Sequence, residues 1–335
     1  AYTAKNLEGH AELLNGKMFK TSEYFSGRVA PPAHPDQAHE IQINATQPED
    51  WGFPVLYHDL PARRPTGCYL APGSIGTVTV PASMVGKGFN VRVGAHSWDL
   101  AKKPKIKRLD RVSLVFPITR TATRIANPLG GGIYLEVPYK ADAGIVTVRI
   151  ANAVRSPFFS ARRFTSTSLD EWKNSERLQP GAWADFESDK FMMQVPAAWI
   201  RDLEDPATLM RDWDKSMDAV SELLGLPLVR SKTVLYMQND VLYRGTANFP
   251  GYPMSNDPYN PDQLANQETG PNTGRKHYMI RGPQYATSTT FHELGHASSI
   301  TKFRGETEDA VNLLYVAAMN RKFGFDLEKA FAKSI

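Results

Sequence analysis

The chain has 335 residues, of which 41% are hydrophobic and 22% are charged, so it is long enough for two or three globular domains. Its formal net charge of +4 is spread along the sequence, which argues against a nucleic-acid-binding protein. No run approaches the roughly 18 apolar residues that a membrane-spanning helix needs. Cys68 is the only cysteine, so an intrachain disulfide is excluded.

A lead-in segment precedes the first regular domain. Residues 10–14 have the composition of a short helix, and the proline-rich passage 31–35 favours extended chain. The sequence begins at Ala1 without methionine and has no recognisable signal peptide, as expected if a leader was removed or the chain was trimmed. We predict a partly irregular segment over residues 1–61.

The next hundred residues have the pattern of short strands. Apolar and polar residues alternate in several segments, and turns that contain glycine separate them. The segments are 77–81, 89–93, 112–116, 133–137 and 145–150. Strands at this spacing predict an antiparallel β-sandwich domain over residues 62–160.

The remaining residues, 161–335, have a mixed α+β character. A long helix is predicted to begin at Pro206 and to end before Gly225, and a buried strand is predicted over 233–237. A loop of about 240–285 follows, and a loop of this length is often functional. Two more helices are predicted, over 307–321 and 326–334.

The most informative pattern is the sequence HELGH at residues 292–296, which has the H-E-x-x-H form of zinc metallopeptidases. Residues four apart lie one turn apart on the same face of an α-helix, so His292 and His296 can reach one metal ion. Glu293 lies close to that face and can accept a proton from a water molecule there. The pattern therefore predicts a metal, a base and a hydrolytic reaction.

Two features of this helix have a structural interpretation. Thr290 and Glu293 fit a capping box, in which the carboxylate would bond the backbone at the helix start instead of serving catalysis. Gly295 weakens a helix by about 1 kcal/mol relative to alanine, which indicates close backbone packing against a strand or a bound substrate.

A catalytic zinc needs three protein ligands and an open position, so one ligand is missing from the motif. Eleven residues separate His296 from Glu308, enough for a turn and an antiparallel second helix. We predict Glu308 as the third ligand, with Glu306 and Asp309 as competitors that the spacing does not exclude. The alternative for all three is a solvated acidic helix start, which the helix dipole favours.

A third histidine with the metzincin spacing is excluded. That spacing would require a glycine at Ser299 and a histidine at Lys302. We therefore expect one Zn²⁺ ion held by two histidines and a carboxylate.

Five short motifs in order resemble the enhancin-like, mucin-degrading zinc metallopeptidases, a family of gluzincin type. They are PTGCYLAPG at 65–73, NPLGGGIY at 127–134, GYP at 251–253, HELGH at 292–296 and EDAVN at 308–312. The resemblance covers roughly residues 62–320 and is strongest to bacterial secreted members.

The resemblance implies a multidomain α+β protein, in which an antiparallel β-sandwich precedes a zincin-like α+β metallopeptidase domain. It implies an endopeptidase whose substrates are O-glycosylated, mucin-like host proteins, acting outside the bacterial cell as a virulence factor. Family members commonly continue with further helical segments, so completeness of the catalytic domain at Ile335 stays open. We expect a monomer without a nucleic-acid partner or a membrane span.

Further site residues are predicted around the loop and the second helix. A donor for the developing oxyanion is expected among Tyr252, His277, Tyr278 and Arg281, which also could bind substrate, although each has an alternative as a packed or solvated loop residue. Asn312, one turn after Glu308, is predicted to support a metal ligand or only a neighbouring backbone.

Two other functions compete with the peptidase. The first is a glycan-binding adhesin with a non-catalytic zinc site, for which Trp98 in the strand-rich region offers a stacking surface or, alternatively, a core side chain. The second is a structural surface protein in which the HELGH sequence arises by chance.

Overall fold

The structure of the protein is a computed structural model. It describes residues 3–47, 59–99, 108–162, 166–225, 228, 235–240, 248–249, 251–256, 277–298 and 307–334. The chain divides into two compact units. The first comprises Ala1–Glu49, Leu60–Phe158 and Asn174–Asp185, and the second comprises Asp50–Asp59, Phe159–Lys173 and Phe186–Ile335. The boundaries predicted at residues 61 and 160 stay predictions beside this division.

The first unit contains two short helices and two antiparallel sheets. The helices are α1 (Ala4–Gly9) and α2 (Ala11–Leu14). The strands are β1 (Ala38–Thr46), β2 (Ala62–Leu70), β3 (Ile75–Thr79), β4 (Asn90–Val93), β5 (Leu114–Pro117), β6 (Ala122–Ala126), β7 (Gly131–Val137), β8 (Asp142–Ala151) and β9 (Val154–Arg155). One sheet has the order β1-β8-β3-β6 and the other β5-β4-β7-β2-β9.

A single apolar core joins the two sheets of the first unit. Ile43 and Val148 come from one sheet, and Val91 and Ile133 come from the other, all at most 3% exposed in one cluster. Alternating side chains from two facing sheets make a sandwich. The predicted antiparallel β-sandwich is thereby confirmed, and all five predicted segments overlap β3, β4, β5, β7 and β8.

Strands β1 and β2 are absent from the prediction. β1 lies inside the predicted lead-in, where Ile43 pairs with Val146 of β8. β2 contains Pro65 and Gly67, which usually mark turns. Here they occupy a shift in register between Pro65 and Cys68, where Thr66 donates a hydrogen bond from Oγ1 to the Ile133 carbonyl at 2.6 Å. The bulge accommodates both residues within one strand.

The rest of the described chain forms one further sheet with surrounding helices. Its strands are β10 (Phe158–Ser160), β11 (Trp183–Glu187), β12 (Phe191–Pro196), β13 (Leu235–Asn239), β14 (Asn248–Phe249) and β15 (Met254–Asn256), in the order β10-β11-β12-β13-β15-β14. Its helices are α3 (Leu169–Asn174), α4 (Pro206–Leu223), α5 (Tyr278–Arg281), α6 (Ser288–Ala297), α7 (Thr307–Phe323) and α8 (Leu327–Ala332). Short 3₁₀ turns span Lys20–Glu23, Ala82–Met84, Glu176–Leu178, Ala197–Ile200 and Pro283–Tyr285.

Helix α4 links this sheet to the helices. Asp205 caps its first turn by accepting a hydrogen bond from the Thr208 N–H at 2.9 Å. Trp213 stacks on Phe191 of β12 with ring centroids 4.6 Å apart, and its other neighbour is Phe291 of α6 at 6.4 Å. The mixed α+β architecture of the prediction is confirmed, and none of the described helices is long and apolar enough to cross a membrane.

The predicted loop over 240–285 is wrong in part. The structure places β14, β15 and α5 inside it, and β15 pairs with β13 in parallel through Met237 and Met254. Residues 241–247, 250 and 257–276 lie outside the described residues.

Candidate metal centre and active site

Helix α6 carries the HELGH sequence, as predicted. Its N-cap residue is Thr287, three residues before Thr290, where the capping box would place the cap. Glu293 then lies in the second turn, beyond reach of the orphan N–H groups at the helix start. The capping-box alternative for Glu293 is therefore wrong.

Gly295 allows α6 to approach α7 closely. A Cβ atom at this position would lie 2.6 Å from Leu314 Cδ1 and 2.9 Å from Val311 Cβ, well inside normal carbon–carbon contact. The close backbone packing that Gly295 predicts is therefore against helix α7. This contact places the first turn of α7, with Glu308, beside the two histidines.

The predicted ligands His292, His296 and Glu308 converge. Glu308 Oε2 lies 3.0 Å from His292 Nε2 and 3.5 Å from His296 Nε2, and the two Nε2 atoms are 3.1 Å apart. Atoms bound tetrahedrally to zinc at 2.0–2.1 Å are separated by about 3.3 Å. The spacing and chemistry of these three side chains fit zinc. Among the described residues, they form the group of side chains that could hold a metal ion.

The two competing carboxylates differ in status. Asp309 belongs to α7 but not to this ligand group. Glu306, like Ser299 and Lys302, lies outside the described residues.

Asn312 contacts the ring of His292. Its Oδ1 lies 2.9 Å from His292 Nδ1, and its Nδ2 donates to the Glu308 carbonyl at 3.1 Å. If Nδ1 carries the ring proton, this contact leaves Nε2 as the acceptor that faces Glu308. A partner on the second ring nitrogen is how proteins fix the tautomer of a metal-binding histidine.

Glu293 is half-buried beside the ligands. Burial raises the pKa of its carboxyl above the usual value, nearby His292 opposes that shift, and the Glu308 carboxylate reinforces it. A raised pKa increases the basicity of the carboxylate, which suits a group that accepts and returns a proton.

The four predicted substrate-binding residues occupy different environments. His277 is only 4% exposed and uses Nδ1 to accept a hydrogen bond from the Met279 N–H, capping α5. Tyr252 is partly buried and packs edge-to-face on Tyr236 at 5.6 Å. The Arg281 guanidinium lies 3.8 Å from the ring centroid of Tyr285, which is 50% exposed.

Tyr278 is the fourth, and its hydroxyl is engaged within the protein. It accepts hydrogen bonds from Thr290 Oγ1 at 2.8 Å and from Asn256 Nδ2. The sequence alone does not indicate Asn256 or this role of Thr290, because no pattern relates the end of a short strand to a helix more than thirty residues later.

Trp98, the stacking residue proposed for an adhesin, is partly buried. Its carbonyl accepts a hydrogen bond from Arg108 Nη2 at 3.1 Å.

Comparison with known families identifies the chain. Residues 36–151 match the N-terminal domain of M60-like peptidases, and residues 152–333 match peptidase M60, enhancin and enhancin-like. The chain belongs to the M60 peptidase family. The resemblance drawn from the five motifs is confirmed.

The curated relatives that this M60 chain matches are named as channel-associated factors and not as peptidases. It is 35% identical over 166 residues to a TRPM8 channel-associated factor homolog from Xenopus laevis, covering 50% of this chain and 18% of that protein. It is 30% identical over 207 residues to TRPM8 channel-associated factor 2 from Mus musculus, covering 62% and 21%. The chain thus spans about a fifth of the length of these relatives.

Solved structures share its fold. A functionally unknown conserved protein from Bacillus anthracis str. Ames matches with a TM-score of 0.61 and 16% identity, over 87% of this chain and 58% of that chain. IMPa from Pseudomonas aeruginosa, in complex with an O-glycopeptide, matches at 0.57 and 14%, over 94% and 36%. The catalytic module of the metalloprotease ZmpA from Clostridium perfringens matches at 0.56 and 14%, over 87% and 59%.

Proposed function

We propose that this M60 protein is a zinc-dependent endopeptidase. The observation that carries the proposal is the convergence of His292 Nε2, His296 Nε2 and Glu308 Oε2 from two packed helices, with the Glu293 carboxylate beside them. Two imidazoles and a carboxylate with an open fourth position are a typical catalytic zinc set.

The residues divide the work as follows. One zinc ion, when bound, supplies an electrophile that acidifies water and polarises the peptide carbonyl. Glu293 accepts the proton of the attacking water and returns it to the leaving amine. Asn312 holds the His292 ring in the orientation that presents Nε2.

We further propose O-glycosylated, mucin-like proteins as the substrate class. Support comes from the shared fold with IMPa, whose structure contains an O-glycopeptide. Tyr252 and Arg281 are only partly buried and are the substrate-contacting candidates we retain, while the burial of His277 argues against direct contact with a glycan. We also propose that the protein is secreted by a bacterium and that it acts as a monomer.

The test separates the base from the metal site. Glu293→Gln keeps the shape of the side chain but removes its basicity, so zinc should stay bound while cleavage of an O-glycosylated protein is lost. Unchanged cleavage by this variant would refute the assignment. The same glycoprotein, digested before and after enzymatic removal of its O-glycans, tests the substrate class, since cleavage that ignores the glycans would indicate a general peptidase.

A binding protein with a non-catalytic zinc site is the second candidate. The observation in its favour is that the sequence relatives at 30–35% identity are named as channel-associated factors. Zinc-loaded protein that binds an O-glycosylated protein without cleaving it would support this alternative over the peptidase.

A further inference from the structure

The hydroxyl of Tyr278, a partly buried residue, joins helix α6 to two other elements. Tyr278, the first residue of α5, receives hydrogen bonds from Thr290 of α6 at 2.8 Å and from Asn256 at the end of β15. Thr290 is fully buried and Asn256 is 4% exposed. Buried polar groups of this kind depend on their partners, because no water replaces a lost hydrogen bond.

The tyrosine itself packs against neighbouring aromatic rings. Its ring lies 4.4 Å from that of His277, which stacks on Trp199 at 4.8 Å. Trp213 Nε1 donates to the Met279 carbonyl at 3.3 Å, which fixes the next residue of α5 to the long helix α4. Because these contacts hold the Tyr278 ring in place, its hydroxyl offers a defined position to the groups that bond to it.

The point of attachment on α6 is close to the ligands. Thr290 is two residues before His292, and its Oγ1 also lies 3.3 Å from Thr287 Oγ1 at the helix start. The Thr287 side chain makes no capping bond to the backbone. The Tyr278–Thr290 bond therefore restrains the N-terminal turn of α6, while Gly295 fixes its C-terminal half against α7.

We propose that Tyr278 is a positioning residue for the metal site: through Thr290 it sets the rotation of α6 that directs His292 and His296 toward Glu308. This role rests on the proposed zinc site and extends it to Tyr278, which is not one of the three ligands. The predicted oxyanion or substrate role of Tyr278 is a different one, because it would need the hydroxyl to face the substrate.

The experiment measures zinc affinity on the full chain by competition with a chelator, and thermal unfolding in parallel. Tyr278→Phe removes only the hydroxyl, and Thr290→Val removes its donor with little change of shape. We expect each to weaken zinc binding by about tenfold, the lower end of the effect of residues that orient metal ligands. Thr290→Ser keeps the donor and should retain the wild-type affinity.

Two comparisons distinguish positioning from general stability. Tyr69→Phe removes a buried hydroxyl that donates to the Gly27 carbonyl at 2.8 Å in the other unit, so it should lower the unfolding temperature without changing zinc affinity. The double variant Tyr278→Phe/Thr290→Val should bind zinc about as weakly as either single variant, because both remove the same bond.

The outcomes separate two failures. If wild-type protein binds no zinc, the proposed function fails and the positioning role fails with it. If wild-type protein binds zinc and both Tyr278→Phe and Thr290→Val bind it within twofold of wild type, the positioning role alone is refuted. Should Tyr278→Phe fail to fold, the comparison of Thr290→Val with Thr290→Ser decides, since equal affinity of that pair would also refute it.

Discussion

Replacing Gly295 by alanine tests how the two ligand-bearing helices are held together. The added Cβ would lie 2.6 Å from Leu314 Cδ1 and 2.9 Å from Val311 Cβ. Carbon atoms normally approach to about 3.5–4.0 Å. Leu314 Cδ1 ends a side chain and can rotate away, but Val311 Cβ is attached to the α7 backbone, so α7 must move by roughly 0.6 Å or more.

The magnitude follows from two opposing terms. Overpacking of this kind costs about 1–3 kcal/mol, and alanine returns about 1 kcal/mol of helix propensity. We expect a loss of up to about 2 kcal/mol in the free energy of unfolding without metal. Zinc affinity should fall by about tenfold, or about 1.4 kcal/mol, because Glu308 moves with α7 while the histidines stay on α6.

The assay pairs denaturant unfolding with zinc competition by a chelator. Gly9→Ala is the matched control, since Gly9 lies in α1 and a Cβ there meets no heavy atom within 4 Å. That variant should be neutral or slightly stabilised and should bind zinc normally. A Gly295→Ala protein as stable as wild type, with unchanged zinc affinity, would refute the close packing on which the site geometry depends.

Three further predictions concern pH and ligand orientation. Burial raises the pKa of the Asp214 carboxyl from 3.8 to about 6. This carboxyl therefore stabilises the folded state at low pH, and the stabilisation is lost as the pH rises between those values. Asp214→Asn, which can still accept the Ser188 hydrogen bond, should raise the free energy of unfolding at pH 8 by up to about 3 kcal/mol in urea titrations. Burial lowers the pKa of His277 from 6.5 to about 3, so the unfolded chain binds a proton at this histidine at a higher pH than the folded protein does. Between pH 8 and pH 5, the free energy of unfolding of the wild-type protein should therefore fall by about 2 kcal/mol more than that of His277→Asn. Equal pH slopes for wild type and variant would contradict either prediction. Asn312→Leu should weaken zinc binding by about 10–100-fold in chelator competition, and affinity equal to wild type would show that the contact with His292 has no orienting role.

The candidate ligands can be proposed from the sequence because their pattern is local. Two histidines at i and i+4 share a helix face whatever the fold, and a second helix after a short connection can place a carboxylate opposite them. The choice among Glu306, Glu308 and Asp309 was not fixed by that reasoning. The grouping of Glu308 rather than Asp309 with the two histidines depends on how closely α7 packs against α6 at Gly295 and Val311.

Other features depend on tertiary structure that no short pattern encodes. Pro65 and Gly67 suggest a turn in isolation, yet a bulge accommodates them in β2. His277 is a polar residue in a predicted loop, yet it is buried and stacks on Trp199. Patterns of two or four residues report helix and strand faces, whereas burial of single polar residues depends on partners far away in sequence.

The most direct test of the proposed function is mass-spectrometric mapping of one mucin-type glycoprotein after incubation with zinc-loaded wild-type protein and with zinc-loaded Glu293→Gln. We predict new peptide termini within its O-glycosylated segments for the wild type only. Absence of cleavage by wild-type protein with zinc bound, or the same termini from Glu293→Gln, would contradict the account.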